Sequence, residues 1–201
     1  MKYDTLHERL RAETRELHED LEAAVDIERE LASVHRYAAY LGRLWSLHAS
    51  IERAMAQFDF SPLGFEYRRC RSRDLEADMT HLGIKVRPGE IAPPPARVQC
   101  LDSALGCIYV VEGSALGARA ILPLIKARLG LTPRAGASFF VGFDEEGKAV
   151  WRACLAALQG IEGDGARADR VIAGAVSTFL TFRQWLPARL TSSSEAPVPF
   201  T

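Results

Sequence analysis

Along nearly the whole chain, apolar residues recur every three or four positions, the spacing of one face of an α-helix. Leu6, Leu10, Thr14, Leu17, Leu21 and Val25 make one stripe, with Glu8, Arg9, Glu16, Glu19 and Asp20 largely outside it. A second helix is expected to open at Ser33, a residue type that caps helix N-termini, and to carry Val34, Tyr37, Leu41, Leu44, Trp45, His48, Ile51 and Met55. A third is expected from Ser61-Pro62, where proline fits the first turn, to His81-Leu82-Gly83. Lys85 to Pro95 holds four prolines and a glycine and reads as a loop. A long helical stretch is expected from about Ala96 to Leu129, interrupted by Gly106, Gly113, Gly117 and Pro123. Thr132-Pro133 reads as a turn or a helix start, Phe139-Phe140-Val141 as a short apolar run and Asp144 to Gly147 as a polar turn. Two more helices fit Glu145–Leu158 and Ala166–Arg189. The pattern predicts an all-α fold of six to eight helices in a single domain over residues 1–190, with a flexible Ser/Pro-rich tail over 191–201.

Composition narrows the class. The chain has 201 residues, 48% apolar and 25% charged, with a net charge of −1. That suits one ordinary globular domain and excludes wholesale disorder. The near-zero charge argues against broad binding to nucleic acid. No run of about 18 uncharged apolar residues suggests a membrane span, and the charged amino terminus lacks the apolar region of a secretory signal. The four cysteines, Cys70, Cys100, Cys107 and Cys154, form no C-x-x-C pair. They read as reduced thiols, and a cytoplasmic location is expected. Arg68, Arg69, Arg71 and Arg73 are followed by Asp74, Glu76 and Asp78, which reads as a solvated face of mixed charge.

Two features could carry chemistry. His18 sits at the border of the first buried stripe, with Thr14 and Glu22 one turn away on either side. A neutral imidazole there can ligate a metal through one ring nitrogen while a neighbour holds the other. The same position also suits a hydrogen-bonded histidine at a core edge, and periodicity does not separate His18 from His7 or His48. The second feature is Glu112-Gly113-Ser114-Ala115-Leu116-Gly117 inside a helical stretch. Each glycine in a helix interior costs roughly 1 kcal/mol relative to alanine. Either another helix packs closely there, or a flat ligand approaches bare backbone. An imidazole on one helix and exposed backbone on another would clamp a planar macrocycle with a central metal, and haem iron takes an axial histidine readily.

Ala12-Glu13-Thr14-Arg15-Glu16-Leu17-His18 resembles the opening helix of the haem oxygenases, with their Ala-x-Thr-x-x-x-His around the proximal ligand. Gly113 and Gly117 match two glycines of that family's distal helix, and Ala175-Val176-Ser177-Thr178-Phe179-Leu180 looks like its last core helix. The Glu-Gly-Ser-x-Leu-Gly wording is most similar to bacterial members that supply biliverdin to phytochromes. The resemblance covers roughly residues 5–190 and implies a single all-α domain with haem between a proximal and a distal helix.

It also implies roles. His18 would be the iron ligand, with Glu22 orienting it. Gly113 and Gly117 would let the distal helix approach the haem face. Arg11 and Arg15 fall where the family places basic residues for the propionates, and Lys148 and Arg152 could serve likewise, because cationic groups suit carboxylates. Phe179 would line the pocket. Many members have an aspartate after the first distal glycine, where it organises proton-delivering water; Ser114 stands there in this chain.

The expected activity is cleavage of haem, both substrate and cofactor, by dioxygen to biliverdin, ferrous iron and carbon monoxide. Electrons would come from a ferredoxin or reductase, since no flavin or nicotinamide motif is present. The product's receiver would be a phytochrome. The competing readings are a haem carrier or sensor of the same fold that leaves the ring intact, and a helical interaction domain without a cofactor.

Overall fold

The computed structural model describes residues 3–84, 91–142 and 144–187. Seven α-helices run in chain order among them: α1 (Leu6–Ala24), α2 (Ile27–Glu30), α3 (Val34–Met55), α4 (Arg71–His81), α5 (Leu101–Leu129), α6 (Glu145–Gln159) and α7 (Gly165–Trp185). Two short 3-10 turns, Ser61–Leu63 and Ser138–Val141, complete the set. No strand ladder forms among the described residues, where only isolated bridges around Thr132 occur. The expected all-α class is what the chain builds.

Side-chain caps set several of the boundaries. Thr5 accepts from the Glu8 amide at the start of α1, and Ser33 accepts from the Arg36 amide at the start of α3. Asp144 caps α6 and Asp164 caps α7 in the same way. The polar segment at 144–147 is therefore the first turn of α6. Thr132 to Gly136 closes a turn, as one of the two expectations had it.

Three boundaries differ from expectation, the simplest being that of the last helix, which ends at Trp185, short of Arg189. The helix expected from Ser61 stops after one turn, because Gly64 adopts φ 82°, a left-handed conformation that ends it. Residues 65–70 are then non-helical, and α4 begins only at Arg71. The apolar residues of this stretch, Phe65 and Tyr67, pack against Phe60 instead of forming a helical stripe. The long helix begins at Leu101 and not near Ala96, behind a box in which Ser103 accepts from the Cys100 amide. It then continues unbroken through its glycines and Pro123. The tail expected from Thr191, and the Lys85–Glu90 part of the expected loop, lie outside the described residues.

The first half of α5 is the centre of the core: every residue from Asp102 to Glu112 is buried. α7 crosses it at backbone contact. A Cβ on Gly106 would run into the Val171 carbonyl, and one on Gly174 would run into the Ser103 carbonyl. By length and composition α5 is apolar enough to cross a membrane. α7 sheathes the first half, but only 33% of the most apolar stretch is buried, so the central position accounts for part of that apolarity. α7 also packs along α1, so the outer stripe of α1 and the second half of α5 both emanate from the same core.

Candidate functional site

On α1, Leu6, Leu10 and Thr14 are buried, while Leu17, Leu21 and Val25 are only partly covered, so the helix leaves the core towards its C-terminus. His18 lies in this emerging half. Its side chain is 54% exposed and its ring meets the buried Phe179 of α7 edge to face at 5.8 Å. Glu22 stands 3.6 Å from Nδ1, one turn along the helix, and both side chains are exposed. The Thr14 hydroxyl donates instead to the Leu10 carbonyl of its own helix at 2.7 Å. It is buried in α1 and does not serve His18. His48, equivalent by periodicity, is separated by burial: it is wedged between Phe139 and Phe182 in the core.

The glycines of α5 divide into two kinds. Gly106 is explained by helix packing, as above. Gly117 is not: nothing lies within 4 Å of where its Cβ would be. Gly113 faces the ring edge of Trp151 at 3.6 Å, an ordinary contact that alanine would tolerate. Of the two explanations open from sequence, close packing therefore fails at Gly117, and bare accessible backbone remains. Ser114, between them, donates its hydroxyl to the Val111 carbonyl at 2.7 Å. Its oxygen can accept a hydrogen bond, but its proton is already committed.

α1, α5 and α6 meet at one vertex. His7 of α1 packs edge-on against Tyr109 of α5 and Trp151 of α6, with ring centroids 5.6 and 6.4 Å away. His18 lies three turns beyond that vertex on α1, and Gly113 and Gly117 lie one and two turns beyond it on α5. The basic residues are near the same vertex in sequence. Arg11 is one turn after His7, and Lys148 and Arg152 flank Trp151 on α6; all are exposed. Lys148 is paired with Glu145 at 2.7 Å, and Arg15 stands 4.0 Å from Glu19 with its side chain 73% exposed.

Sequence reasoning missed one group of residues and misread another. Arg69 and Arg71 are not part of a solvated face; both are buried. Only Arg68 and Arg73 of that run are exposed. The Arg71 guanidinium donates to the Phe139 carbonyl at 2.7 Å and lies over the Phe139 ring. Arg69 stands 3.8 Å from Glu112, which is wholly buried on α5, and 2.7 Å from Asp144 at the cap of α6. The Tyr67 hydroxyl donates to Glu112 at 3.0 Å. Burial pushes the Glu112 carboxyl above its usual range against the pull of Arg69. The carboxylate in the Glu-Gly-Ser run was the available signal, since an acidic residue in an otherwise apolar helix segment needs a buried partner.

Comparison with known proteins places the fold and the family. The family model described as heme oxygenase matches residues 4–188. A haem oxygenase of Xanthomonas campestris pv. campestris (strain 8004) is 36% identical over 156 residues, covering 76% of this chain and 89% of the relative. Among solved structures, the NO- and CO-bound haem oxygenase from Neisseria meningitidis superposes with a TM-score of 0.74 at 20% identity, over 98% of this chain and 100% of the other. Haem oxygenase from Leptospira interrogans gives 0.71 at 16% identity, over 91% and 98%. The fold is thus the all-α haem oxygenase fold, and, with the family model spanning almost the whole sequence, the chain belongs to the haem oxygenase family.

Proposed function

We propose that this protein is a biliverdin-forming haem oxygenase that holds haem between α1 and the glycine stretch of α5. The observation that carries the reading is the pairing of an accessible imidazole at His18, backed by Phe179 and Glu22, with an α5 surface left open at Gly117. A single imidazole is too little for a bare metal ion but would suffice for an iron already held by a porphyrin.

Haem, when bound, is the substrate and also supplies the redox chemistry that consumes dioxygen. The chain's residues do the rest. His18 would hold the haem iron, and Glu22, 3.6 Å from its Nδ1, would orient the imidazole. Gly113 and Gly117 present backbone without side chains, which lets α5 lie close to the opposite face. Ser114 would accept a hydrogen bond from water and so orient it, while its own hydroxyl donates to the Val111 carbonyl. Arg11, Arg15, Lys148 and Arg152 supply the cationic rim for the propionates, with Lys148 exchanging Glu145 for a propionate.

The products would be biliverdin, ferrous iron and carbon monoxide, with electrons from a ferredoxin or reductase and a phytochrome as the receiver of the pigment. The reading takes the protein to act in the cytoplasm, which the four free thiols support. One observation favours a haem carrier or sensor instead: Ser114 stands where the resemblance puts a carboxylate, and its hydroxyl is engaged by the Val111 carbonyl.

Titration with ferric haem tests the binding arm, and reduction under air tests turnover. Wild type is expected to show a sharp Soret band that decays with ascorbate or reductase as a broad red biliverdin absorption grows. His18→Ala is expected to lose the Soret shift and at least about tenfold in affinity. A stable Soret band under reduction supports the carrier. Haem uptake that is equal in wild type and His18→Ala removes His18 as the ligand.

A further inference from the structure

We infer that Arg69 is a positioning residue which, through Glu112, holds α6 against the glycine stretch of α5. The geometry is that of a clamp. Arg69 comes from the non-helical segment between the first 3-10 turn and α4, and its side chain is 4% exposed. On one side its Nε stands 3.8 Å from Glu112 Oε2, one residue before Gly113. On the other, its Nη1 donates to Asp144 Oδ1 at 2.7 Å and to Glu146 Oε2 at 3.3 Å. That same Asp144 oxygen accepts the Gly147 amide at 2.7 Å, so the guanidinium sits on the cap of α6. Two turns along α6, Trp151 lies against Gly113. One planar, always-charged group thus links the start of α6 to the residue where the glycine stretch begins.

The pair is poorly suited to stabilising the fold. Neither Glu112 Oε2 nor Arg69 Nε has a hydrogen-bond partner, although both are buried. A buried ion pair held by charge alone often contributes less than apolar residues of the same volume would. Burial also disfavours the ionised Glu112. What the pair does supply is registry: the guanidinium hydrogen-bonds Asp144 and Glu146 through Nη1 while its Nε faces Glu112 at 3.8 Å, so one rigid planar cation sits between the two helices, which a flexible lysine would not do. The separation it fixes is that between α5 at Gly113 and α6, the helix that carries Trp151, Lys148 and Arg152.

The inference rests on the haem reading only for its binding consequence, so the experiment has two arms. In the full-length ligand-free protein, amide hydrogen exchange is compared for wild type, Arg69→Lys and Glu112→Gln, together with the urea midpoint. Both variants are expected to speed exchange about tenfold over the first turns of α6 and over Gly113 to Gly117, with α3 and the core of α7 unchanged. For Glu112→Gln, which keeps the Tyr67 hydrogen bond and leaves Arg69 its Asp144 and Glu146 partners, the urea midpoint is expected to fall less than for Arg69→Lys. Uniform acceleration across all helices with a lowered midpoint, or no local change in either variant, overturns the inference. Where Arg69→Lys does not fold, Glu112→Gln carries the comparison. In the second arm, ferric haem is expected to bind both variants about tenfold more weakly than wild type. Equal affinity overturns the link to the site. A wild type that takes up no haem overturns the reading of the site, while the exchange arm still judges the clamp.

Discussion

At the scale of single residues, the glycines of α5 and α7 show how one residue type answers different demands. Gly106 and Gly174 exist because two backbones touch. Gly106→Ala must push the Val171 carbonyl away, and a loss of roughly 1–3 kcal/mol in urea unfolding is expected from such overpacking. Gly117→Ala meets nothing, and the gain in helix propensity is expected to raise stability by up to about 1 kcal/mol. The same methyl group would stand on the proposed haem face, so the more stable variant is expected to bind ferric haem less tightly in a Soret titration. Stability rising while affinity falls would separate a functional glycine from a structural one; both rising would place Gly117 outside the site.

At the scale of elements, α5 and α7 are joined by charge as well as by packing. Arg167 donates twice to one Asp102 oxygen and Arg170 twice to the other, at 2.8–3.1 Å. Burial works against the ionised carboxyl, but these hydrogen bonds outweigh it and hold Asp102 below the usual carboxylate range. The stabilisation is therefore fully present above the unfolded-state pKa of about 3.9 and lost as pH falls through the lower folded value. Asp102→Asn is expected to cost about 1 kcal/mol at neutral pH, since both arginines remain partly hydrated. The difference between variant and wild type is expected to vanish in unfolding curves measured well below pH 4. A gap that persists there would mean that packing, not charge, is lost.

For the whole molecule, the buried His48 sets a second pH limit. Burial, reinforced by the nearby Arg71 cation, pushes its imidazole down to about 3. Unfolding restores an ordinary pKa near 6.5, so the unfolded chain takes up a proton that the folded one refuses. Stability is expected to be complete above about pH 6.5 and to fall below it by at most about 1.4 kcal/mol per pH unit. His48→Leu is expected to flatten this slope between pH 4 and 6.5, while Asp102→Asn leaves it unchanged. An unaltered slope in His48→Leu would assign the acid lability to another group.

Much of this molecule is written in short-range pattern. The helical stripes, the cap at Ser33 and the glycine pair in α5 follow from spacing within a few turns, because the helix itself fixes which residues share a face. The early end of the third helix at Gly64 escaped that logic, since proline and periodicity favour a helix there until a single left-handed residue stops it. Periodicity also left His7, His18 and His48 equivalent; only packing made His48 core and left His18 open. The charged interior is further still from the sequence. Arg69 finds Glu112 and Asp144 across 43 and 75 positions, and Arg71 finds Phe139 across 68. Local spacing made these arginines a solvated face, and the tertiary structure buried them, because a charge can leave water only where distant elements bring its partners to it.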